Sequence, residues 1–223
     1  MVRVVSTSSL PIDLRVSDAT VEVPDTWIGI ANIDLSDADA LVCLLLDKID
    51  RDVIARAPKL RVIANCAVGY DNIDVAAATA AGIAVTNTPD VLTEATAELA
   101  FALILTAARR ITEGERMMRA GQWPGWRLDQ LLGQELAGKT LGIIGMGRIG
   151  KSLARRAEAF GMRVLAGGRG DKLEALFAEA DVISLHCPLT PETRHLVNAE
   201  RLARMKPTAI LVNTARGGCI DED

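Results

Sequence analysis

The first third of the chain alternates short apolar runs with segments of helical periodicity. Runs of β-branched and aliphatic residues occur at positions 2–5, 40–45, 60–64 and 83–85, and helical patterns occur at 50–57 and 75–81. Strands that alternate with helices are typical of a parallel sheet with helical crossovers. The pattern therefore predicts an α/β lobe whose strands are parallel.

The rhythm changes near Thr93. The residues Thr93-Glu-Ala-Thr are typical of a helix start, and the Ala-, Leu- and Ile-rich segment that follows continues to about Arg119 with Gly114 as its one glycine. We expect one long helix here that links two lobes. After a Gly-, Trp- and Pro-rich connection at 121–125, a second alternating region predicts strands near 140–144, 163–165, 181–185 and 209–213.

Composition narrows the function classes. The chain has 223 residues, of which 49% are hydrophobic and 24% are charged, and its formal net charge is −4. This length suits two lobes of roughly 100 residues each. A mildly negative protein has no general attraction to phosphate backbones or anionic lipid, so neither nucleic acid nor a membrane surface is expected as a partner.

The cysteines and the first residues bear on location. Cys43, Cys66, Cys187 and Cys219 lie far apart, with no C-x-x-C pair and no clustered histidines, so neither a metal site nor a disulfide framework is expected. The first five residues lack the apolar core and cleavage site of a signal peptide, and the apolar run at 99–108 is too short to span a bilayer. We expect a cytoplasmic protein with reduced thiols.

A glycine-rich turn lies between a predicted strand and a predicted helix at 151–160. Its sequence, GMGRIG at 145–150, has the G-x-G-x-x-G spacing that binds the pyrophosphate of a dinucleotide when it joins a strand to a helix. Gly145 permits the tight turn, Gly147 lets the backbone approach the pyrophosphate, and Gly150 lets the helix pack on the strand; Arg148 adds a possible phosphate contact. The alternative is a βα turn that binds nothing.

The end of the next strand bears on the choice between NAD and NADP. An Asp or Glu there is typical of NAD, but strand 163–166 runs into Gly167-Gly168-Arg169. Without a carboxylate nothing repels a 2′-phosphate, and a guanidinium pairs well with that group. NADP is therefore favoured over NAD, with a solvated loop arginine at 169 as the alternative reading of this short loop.

Five separate motifs resemble those of the D-2-hydroxyacid dehydrogenase family, in particular its glyoxylate/hydroxypyruvate reductase branch. They are NCAVGYDNID at 65–74, TNTPDVLTEATAE at 86–98, LAGKTLGIIGMGRIG at 136–150, HCPLT at 186–190 and VNTARGG at 212–218. The resemblance implies two doubly wound α/β lobes with parallel sheets. The flavodoxin-like substrate lobe is expected at 1–94 and the Rossmann dinucleotide-binding lobe at 95–223.

The resemblance also assigns residues to a site. It implies that Val68 and Gly69 hold the substrate carboxylate through backbone amides, as a Gly-containing turn after a strand can. It implies that Arg216 binds the same carboxylate and polarises the carbonyl of a 2-oxo acid, for which a guanidinium fork is suited. Cofactor contacts are expected from Thr96, Gly145, Gly147, Arg148, Ile149, Gly150, Gly168, Arg169, Cys187, Pro188, Thr193, Thr214, Ala215 and Arg216.

The residues alone leave structural alternatives open for several of these positions. Gly69 is also explained as a turn glycine needed only for its backbone angles, and Thr96 as an ordinary helix residue. Cys187 is also explained as a small buried apolar residue. Arg216 follows a predicted strand at the sheet edge where ligands of α/β proteins collect, which favours a functional over a structural arginine.

Two features depart from the family pattern. In the family a His, oriented by a Glu, gives the substrate oxygen its proton, and both would belong to a segment beyond Asp223. We expect His186 and His195 to be structural. The last residues, 221–223, resemble a helix N-cap with an acidic first turn, and the stretches after Leu10 and at 169–173 look short. We therefore expect a chain truncated at its C-terminus, and whether residues are missing from the sequence or the chain is a remnant stays open.

Three functions are compatible with these patterns. The first is a reductase of glyoxylate, hydroxypyruvate or a similar small 2-oxo acid that uses NAD(P)H. The second is a catalytically inactive NAD(P)-binding module used for regulation or assembly, and the third is a biosynthetic enzyme similar to phosphoglycerate dehydrogenase. A homodimer is expected, because the apolar helix around 95–108 exposes more hydrophobic surface than one nucleotide-binding lobe covers.

Overall fold

A computed structural model describes residues 1–11, 14–167 and 171–223. It divides the chain into two compact units, Met1–Val91 and Leu92–Asp223. The division falls slightly before the predicted boundary, which lay after residue 94 and thus inside the helix Thr93–Ala108. Within the described part, no helix is both long and apolar enough to cross a membrane.

The first unit is built on a parallel sheet. Its strands are β1 (Val2–Ser6), β2 (Ala19–Glu22), β3 (Ala40–Cys43), β4 (Val62–Asn65) and β5 (Ala84–Thr86), and its helices are α1 (Arg51–Ala55) and α2 (Val75–Ala80). The strand order is β2-β1-β3-β4-β5 with every pairing parallel. This is the flavodoxin-like order, so the predicted fold class of this lobe is confirmed.

Local chemistry explains the helix starts of the first unit. The carboxylate of Asp50 accepts hydrogen bonds from the backbone N–H groups of Asp52 and Val53, and that of Asp74 accepts one from Ala77. Such caps satisfy amides that the first helical turn leaves unpaired. The helices and strands enclose a core that includes Leu41, Ile49, Ile54, Ile63 and Ile83.

The second unit contains a second parallel sheet. Its strands are β6 (Thr140–Ile144), β7 (Arg163–Ala166), β8 (Val182–Leu185) and β9 (Ile210–Asn213), and its helices are α3 (Thr93–Ala108), α4 (Ile111–Arg119), α5 (Arg148–Ala159), α6 (Asp171–Glu179) and α7 (Ala199–Arg204). The order is β7-β6-β8-β9, again all parallel. The doubly wound fold predicted for this lobe is confirmed, and its four predicted strands lie within two residues of the observed bounds.

The prediction of one long helix from residue 93 to 119 is wrong. Arg110 adopts a left-handed conformation with φ 53° and separates α3 from α4. The carbonyl of Ala108 accepts a hydrogen bond from the backbone N–H of Gln134, at 2.7 Å. Because that carbonyl is bonded outside the helix, the α-helical ladder ends there.

Two further differences concern the segments around β7. Helix α5 begins at Arg148 rather than at the predicted residue 151, directly after Gly147. Between β7 and β8, the described residues hold the helix α6 and no strand, which leaves β7 at the sheet edge. A short connection at 169–173 was predicted; residues 171–173 belong to the first turn of α6, and residues 169 and 170 lie outside the described residues.

Candidate functional site

Three predicted site segments of the second unit follow the carboxyl ends of neighbouring strands. The glycine-rich turn follows β6, Cys187 and Pro188 follow β8, and Arg216 follows β9. Because all four strands are parallel, these ends lie at one edge of the sheet. The chain winds from β6 to β7 on one side and then crosses to β8 on the other, so the turn after β6 lies at a topological switch point.

The glycines of the turn have distinct steric roles. Gly145 has φ 103°, and a Cβ there would lie 2.5 Å from the backbone nitrogen of Cys187. A Cβ at Gly150 would overlap the carbonyl oxygen of Gly145. A Cβ at Gly147, by contrast, would meet no described atom within 4 Å. Gly145 and Gly150 are thus required by the protein's own packing, whereas Gly147 leaves open space beside the backbone.

The open space lies at the start of α5. Gly147 is the N-cap residue of this helix and provides no side-chain cap. The N-terminus of a helix of this length carries unsatisfied N–H donors and a partial positive charge, which suit a phosphate group. The glycine spacing, the open approach at Gly147 and the helix terminus together fit the pyrophosphate of a dinucleotide.

The segment after β8 packs directly against this turn. The backbone N–H of His186 donates to the carbonyl of Ile144 at 2.7 Å. The imidazole Nε2 lies 2.8 Å from the Ser184 hydroxyl, and Nδ1 lies 3.5 Å from that of Thr214. Burial lowers the pKa of His186 to about 4, so the ring is neutral near pH 7 and links the ends of β8 and β9.

Cys187 contributes its side chain to the core. It is buried together with Leu185, Val197 and Cys219, and its Sγ lies 4.0 Å from that of Cys219. Burial raises the pKa of the Cys187 thiol to about 12, so the thiol is protonated. The side chain therefore has the structural place that the sequence left open as an alternative, while its backbone lines the glycine turn.

Thr193 secures the loop that begins at Pro188. Its hydroxyl donates to the carbonyl of Pro188 at 2.6 Å and accepts from the backbone N–H of Thr190 at 2.7 Å. The single hydroxyl proton is used within the loop. A contact of this side chain with a cofactor would therefore use its remaining acceptor capacity.

The turn that carries Arg216 is held by the last residue of β9. The side chain of Asn213 accepts from the backbone N–H of Ala215 at 2.9 Å and donates to the carbonyl of Arg216 at 2.8 Å. The guanidinium of Arg216 donates to the Ala215 carbonyl at 3.0 Å. This wrapped turn fixes the backbone of Thr214, Ala215 and Arg216 at the same sheet edge as the glycine turn.

Thr96 lies in the first turns of α3, which packs against α5. Glu94 accepts hydrogen bonds from Ser152 and Arg156 of α5, both at 2.9 Å, and these bonds lower the pKa of the Glu94 carboxyl. Met146 and Ile149 pack on the core cluster that contains Ala97 and Ala100. The start of α3 and the glycine turn are thus parts of one packed region.

Val68 and Gly69 belong to the first unit, where they lie in the loop between β4 and α2. The carbonyl of Val68 accepts from the Asn87 side chain, and that of Gly69 accepts from the Asn65 side chain, each at 2.8 Å. Asn65 is buried, and its Oδ1 accepts from the Cys43 thiol. The loop is therefore held by side-chain amides at the carboxyl ends of β4 and β5.

Three asparagines that hold these loops were not among the residues predicted from the sequence. Asn65, Asn87 and Asn213 lie inside the motifs, each at the last residue of a strand or directly after it. That position was a usable signal for a structural role. The hydrogen-bond partners of these side chains could not be predicted, because they depend on tertiary structure. Gly168 and Arg169, on which the NADP prediction rests, lie outside the described residues.

A family model described as "D-isomer specific 2-hydroxyacid dehydrogenase, NAD binding domain" matches residues 101–223. Among known proteins, a glyoxylate reductase of Korarchaeum cryptofilum is 53% identical over 202 residues, which cover 84% of this chain and 61% of that protein. The chain thus spans about six tenths of the length of this relative.

Solved structures give a consistent picture. A crystal structure of a Thermus thermophilus protein has a TM-score of 0.91 and 48% identity, and the match covers 98% of this chain and 75% of that one. D-lactate dehydrogenase from Aquifex aeolicus, complexed with NAD and lactic acid, has a TM-score of 0.84 and 31% identity over 98% of this chain and 70% of that one.

Proposed function

The chain belongs to the D-isomer specific 2-hydroxyacid dehydrogenase family, and on this premise we propose that it acts in NAD(P)H-dependent reduction of a small 2-oxo acid, with glyoxylate or hydroxypyruvate as the substrate. The 53% identical relative is a glyoxylate reductase. Met1–Val91 is proposed as the core of the substrate domain, and Leu92–Asp223 as part of the NAD(P)-binding domain.

One observation carries the proposal. The glycine turn after β6 and the Arg216 turn after β9 share one edge of one sheet, with the β8 segment between them. Neighbouring strands lie about 4.8 Å apart, so the ends of β6 and β9 are separated by about 10 Å. This arrangement suits a dinucleotide whose central pyrophosphate lies at the end of β6 and whose nicotinamide extends towards an acid bound at the end of β9.

The residues of the second unit take the following proposed roles. Gly145, Gly147 and the first amides of α5 hold the pyrophosphate, together with Arg148. Bound NAD(P)H supplies the hydride. Arg216 binds the carboxylate of the acid and polarises its carbonyl group, because a guanidinium offers paired donors to a planar anion. The remaining cofactor contacts are proposed from Thr96, Ile149, Gly150, Cys187, Pro188, Thr193, Thr214 and Ala215.

The first unit contributes Val68 and Gly69 as donors to the substrate carboxylate in this proposal. Their carbonyls are already bonded to asparagine side chains. Backbone N–H groups in a tethered loop form a favourable concavity for an anion.

NADP is proposed as the preferred cofactor over NAD. The support is the sequence of the loop after β7, where Gly168 and Arg169 replace the carboxylate typical of NAD. The test is a fluorescence titration with NADPH and NADH, repeated on Arg169→Ala. We expect the Kd for NADPH to rise about tenfold or more while that for NADH changes little, since a charge-assisted hydrogen bond contributes about 1.5–3 kcal/mol. Arg127→Ala is the control, because its side chain pairs with Asp129 at the surface.

Turnover is tested with the protein expressed from its complete reading frame. NADPH oxidation is followed with glyoxylate, hydroxypyruvate, pyruvate and a phosphorylated 2-oxo acid. Oxidation with the first two supports the proposal. Nucleotide binding without oxidation on any acid favours an NAD(P)-binding module instead, and preference for the phosphorylated acid favours a biosynthetic enzyme similar to phosphoglycerate dehydrogenase.

A homodimer and a cytoplasmic location are also proposed. Exposed hydrophobic side chains of the second unit concentrate between residues 99 and 132: Leu99, Leu103, Ile111, Met118, Trp123, Trp126, Leu128 and Leu132. Such side chains on a folded unit favour an association surface. The cytoplasmic location is proposed from the sequence, in which the four cysteines are widely spaced and suggest no disulfide framework.

A further inference from the structure

Three consecutive carbonyl groups in the loop after β4 accept hydrogen bonds from residues at the ends of β4 and β5. The Ala67 carbonyl accepts from the backbone N–H of Thr88 at 2.9 Å. The Val68 carbonyl accepts from Asn87 Nδ2, and the Gly69 carbonyl accepts from Asn65 Nδ2, each at 2.8 Å. These partners come from the ends of β4 and β5.

Peptide geometry converts these bonds into directions for the amides. In a trans peptide the carbonyl of one residue and the N–H of the next point in opposite directions. The N–H groups of Val68, Gly69 and Tyr70 therefore point away from Thr88, Asn87 and Asn65 respectively. Within the part of the chain that the structure describes, no group accepts a hydrogen bond from these three amides.

We propose that Asn65 and Asn87 are positioning residues that turn the amides of Val68, Gly69 and Tyr70 outward as a three-donor cradle for the substrate carboxylate. The inference rests on the proposed function, which assigns the carboxylate to Val68 and Gly69. It adds Tyr70 N–H as a donor and names the side chains that orient the group. Successive outward amides form the kind of nest that binds anions.

Asparagine is suited to this task because it donates and accepts at once. Asn65 Oδ1 accepts from the Cys43 thiol while its Nδ2 donates to Gly69. Asn72 Oδ1 accepts a long hydrogen bond from Asn65 Nδ2, at 3.4 Å. Asn72 Nδ2 donates to the carbonyls of Leu44 and Asp47. The loop is thereby connected to the turn after β3, and its carbonyls have little freedom to rotate.

The first measurement uses the unmodified chain. Amide resonances are recorded on ¹⁵N-labelled protein saturated with NADP⁺ while glyoxylate is added. We expect the Gly69 and Tyr70 amides to shift with a single binding curve. Binding of glyoxylate that leaves both amides unmoved overturns the inference and leaves the proposed function standing, whereas absence of binding by any 2-oxo acid overturns both.

The second measurement uses Asn87→Ala, which removes the donor to Val68 without adding charge. We expect the Kd for glyoxylate to rise about tenfold or more, because loss of one oriented donor to a charged group has about this effect, while the Kd for NADPH is unchanged. In turnover, KM for glyoxylate is expected to rise more than kcat falls. Asn32→Ala is the matched control, since Asn32 also donates to a backbone carbonyl, that of Ile28, at 2.7 Å.

The outcomes separate a positioning role from a structural one. Wild-type affinity for glyoxylate in folded Asn87→Ala contradicts the inference. Equal losses for glyoxylate and NADPH also contradict it, because they indicate general damage. If Asn87→Ala does not fold, the uncharged variant Asn87→Leu, which is close to asparagine in size and lacks the donor, is measured in its place, and the amide shifts of the unmodified chain decide the donor set.

Discussion

At the scale of single residues, the glycines of the turn after β6 differ in whether the protein's own packing excludes a side chain. A side chain at Gly145 would collide with the backbone of Cys187 and would also have to adopt φ 103°. A side chain at Gly147 would meet open space. The sequence pattern predicts distinct roles for these two glycines, and the steric surroundings of the two positions differ accordingly.

Replacing each of these glycines by alanine is expected to have different effects. Gly147→Ala should leave the melting temperature close to wild type and weaken NADPH binding about tenfold or more, because the methyl group occupies the space through which a pyrophosphate approaches. Gly145→Ala should lower the free energy of unfolding by about 2 kcal/mol or more, because the left-handed backbone and the overlap both oppose a side chain. Thermal unfolding and NADPH titration on both variants check this; unchanged NADPH affinity in Gly147→Ala would contradict the pyrophosphate assignment.

His186 predicts a pH dependence of stability. Its pKa is lowered by burial to about 4, whereas a histidine in an unfolded chain has a pKa of about 6.5. Between these values the unfolded chain binds more protons, so stability is present in full above about pH 6.5 and is lost as the pH falls towards 4. The loss is on the order of 3 kcal/mol, at up to about 1.4 kcal/mol per pH unit.

The measurement is urea unfolding from pH 7 to pH 4 on the wild type and on His186→Gln. The difference between the two curves isolates this group from the carboxylates, and it should narrow as the pH falls. His195→Gln, at a half-exposed side chain, controls for the replacement of a histidine as such. Parallel curves for the wild type and His186→Gln would show that the buried ring is not held neutral.

At the scale of elements, the local sequence pattern predicted the central strands correctly. It did not predict strand β2 or the break between α3 and α4. The two central strands of the second sheet, β6 and β8, are buried throughout. Strands that are buried on both faces have near-continuous apolar sequences, so their positions could be predicted from the sequence. Strand β2 escaped prediction because it is a short edge strand with the sequence Ala-Thr-Val-Glu and alternating partial burial. The break between α3 and α4 escaped it because the bond from Gln134 to Ala108 joins residues far apart in sequence.

The candidate site divides in the same way. Glycine spacing, strand and helix context, and the Arg216 motif were readable from the sequence because each depends on neighbours in the chain. The tethers of the Val68–Gly69 loop were not, because Asn87 reaches it from the end of another strand. The burial of the Cys187 side chain was not readable either, because its neighbour Cys219 lies far away in the sequence.

At the scale of the whole molecule, the exposed hydrophobic side chains of the second unit favour self-association. Leu99 and Leu103 are one helical turn apart on α3 and thus share a face, and they are 56% and 40% exposed. Trp126 and Leu128 lie in the connection before β6 and are 79% and 80% exposed. A two-fold interface uses the same surface on both copies. A dimer formed through this region would therefore bury these side chains on each of the two copies.

The dimer is tested by sedimentation velocity over a range of protein concentrations. Wild type is expected to sediment as a dimer at micromolar concentration, and Leu99→Glu is expected to weaken association at least about tenfold, because an apolar side chain buried at an interface contributes about 1.5–3 kcal/mol and a carboxylate there is desolvated. Leu46→Glu is the control: Leu46 is 73% exposed but belongs to the first unit, outside the 99–132 region. A monomeric wild type, or equal weakening by both substitutions, would remove the reason to assign the interface to this region.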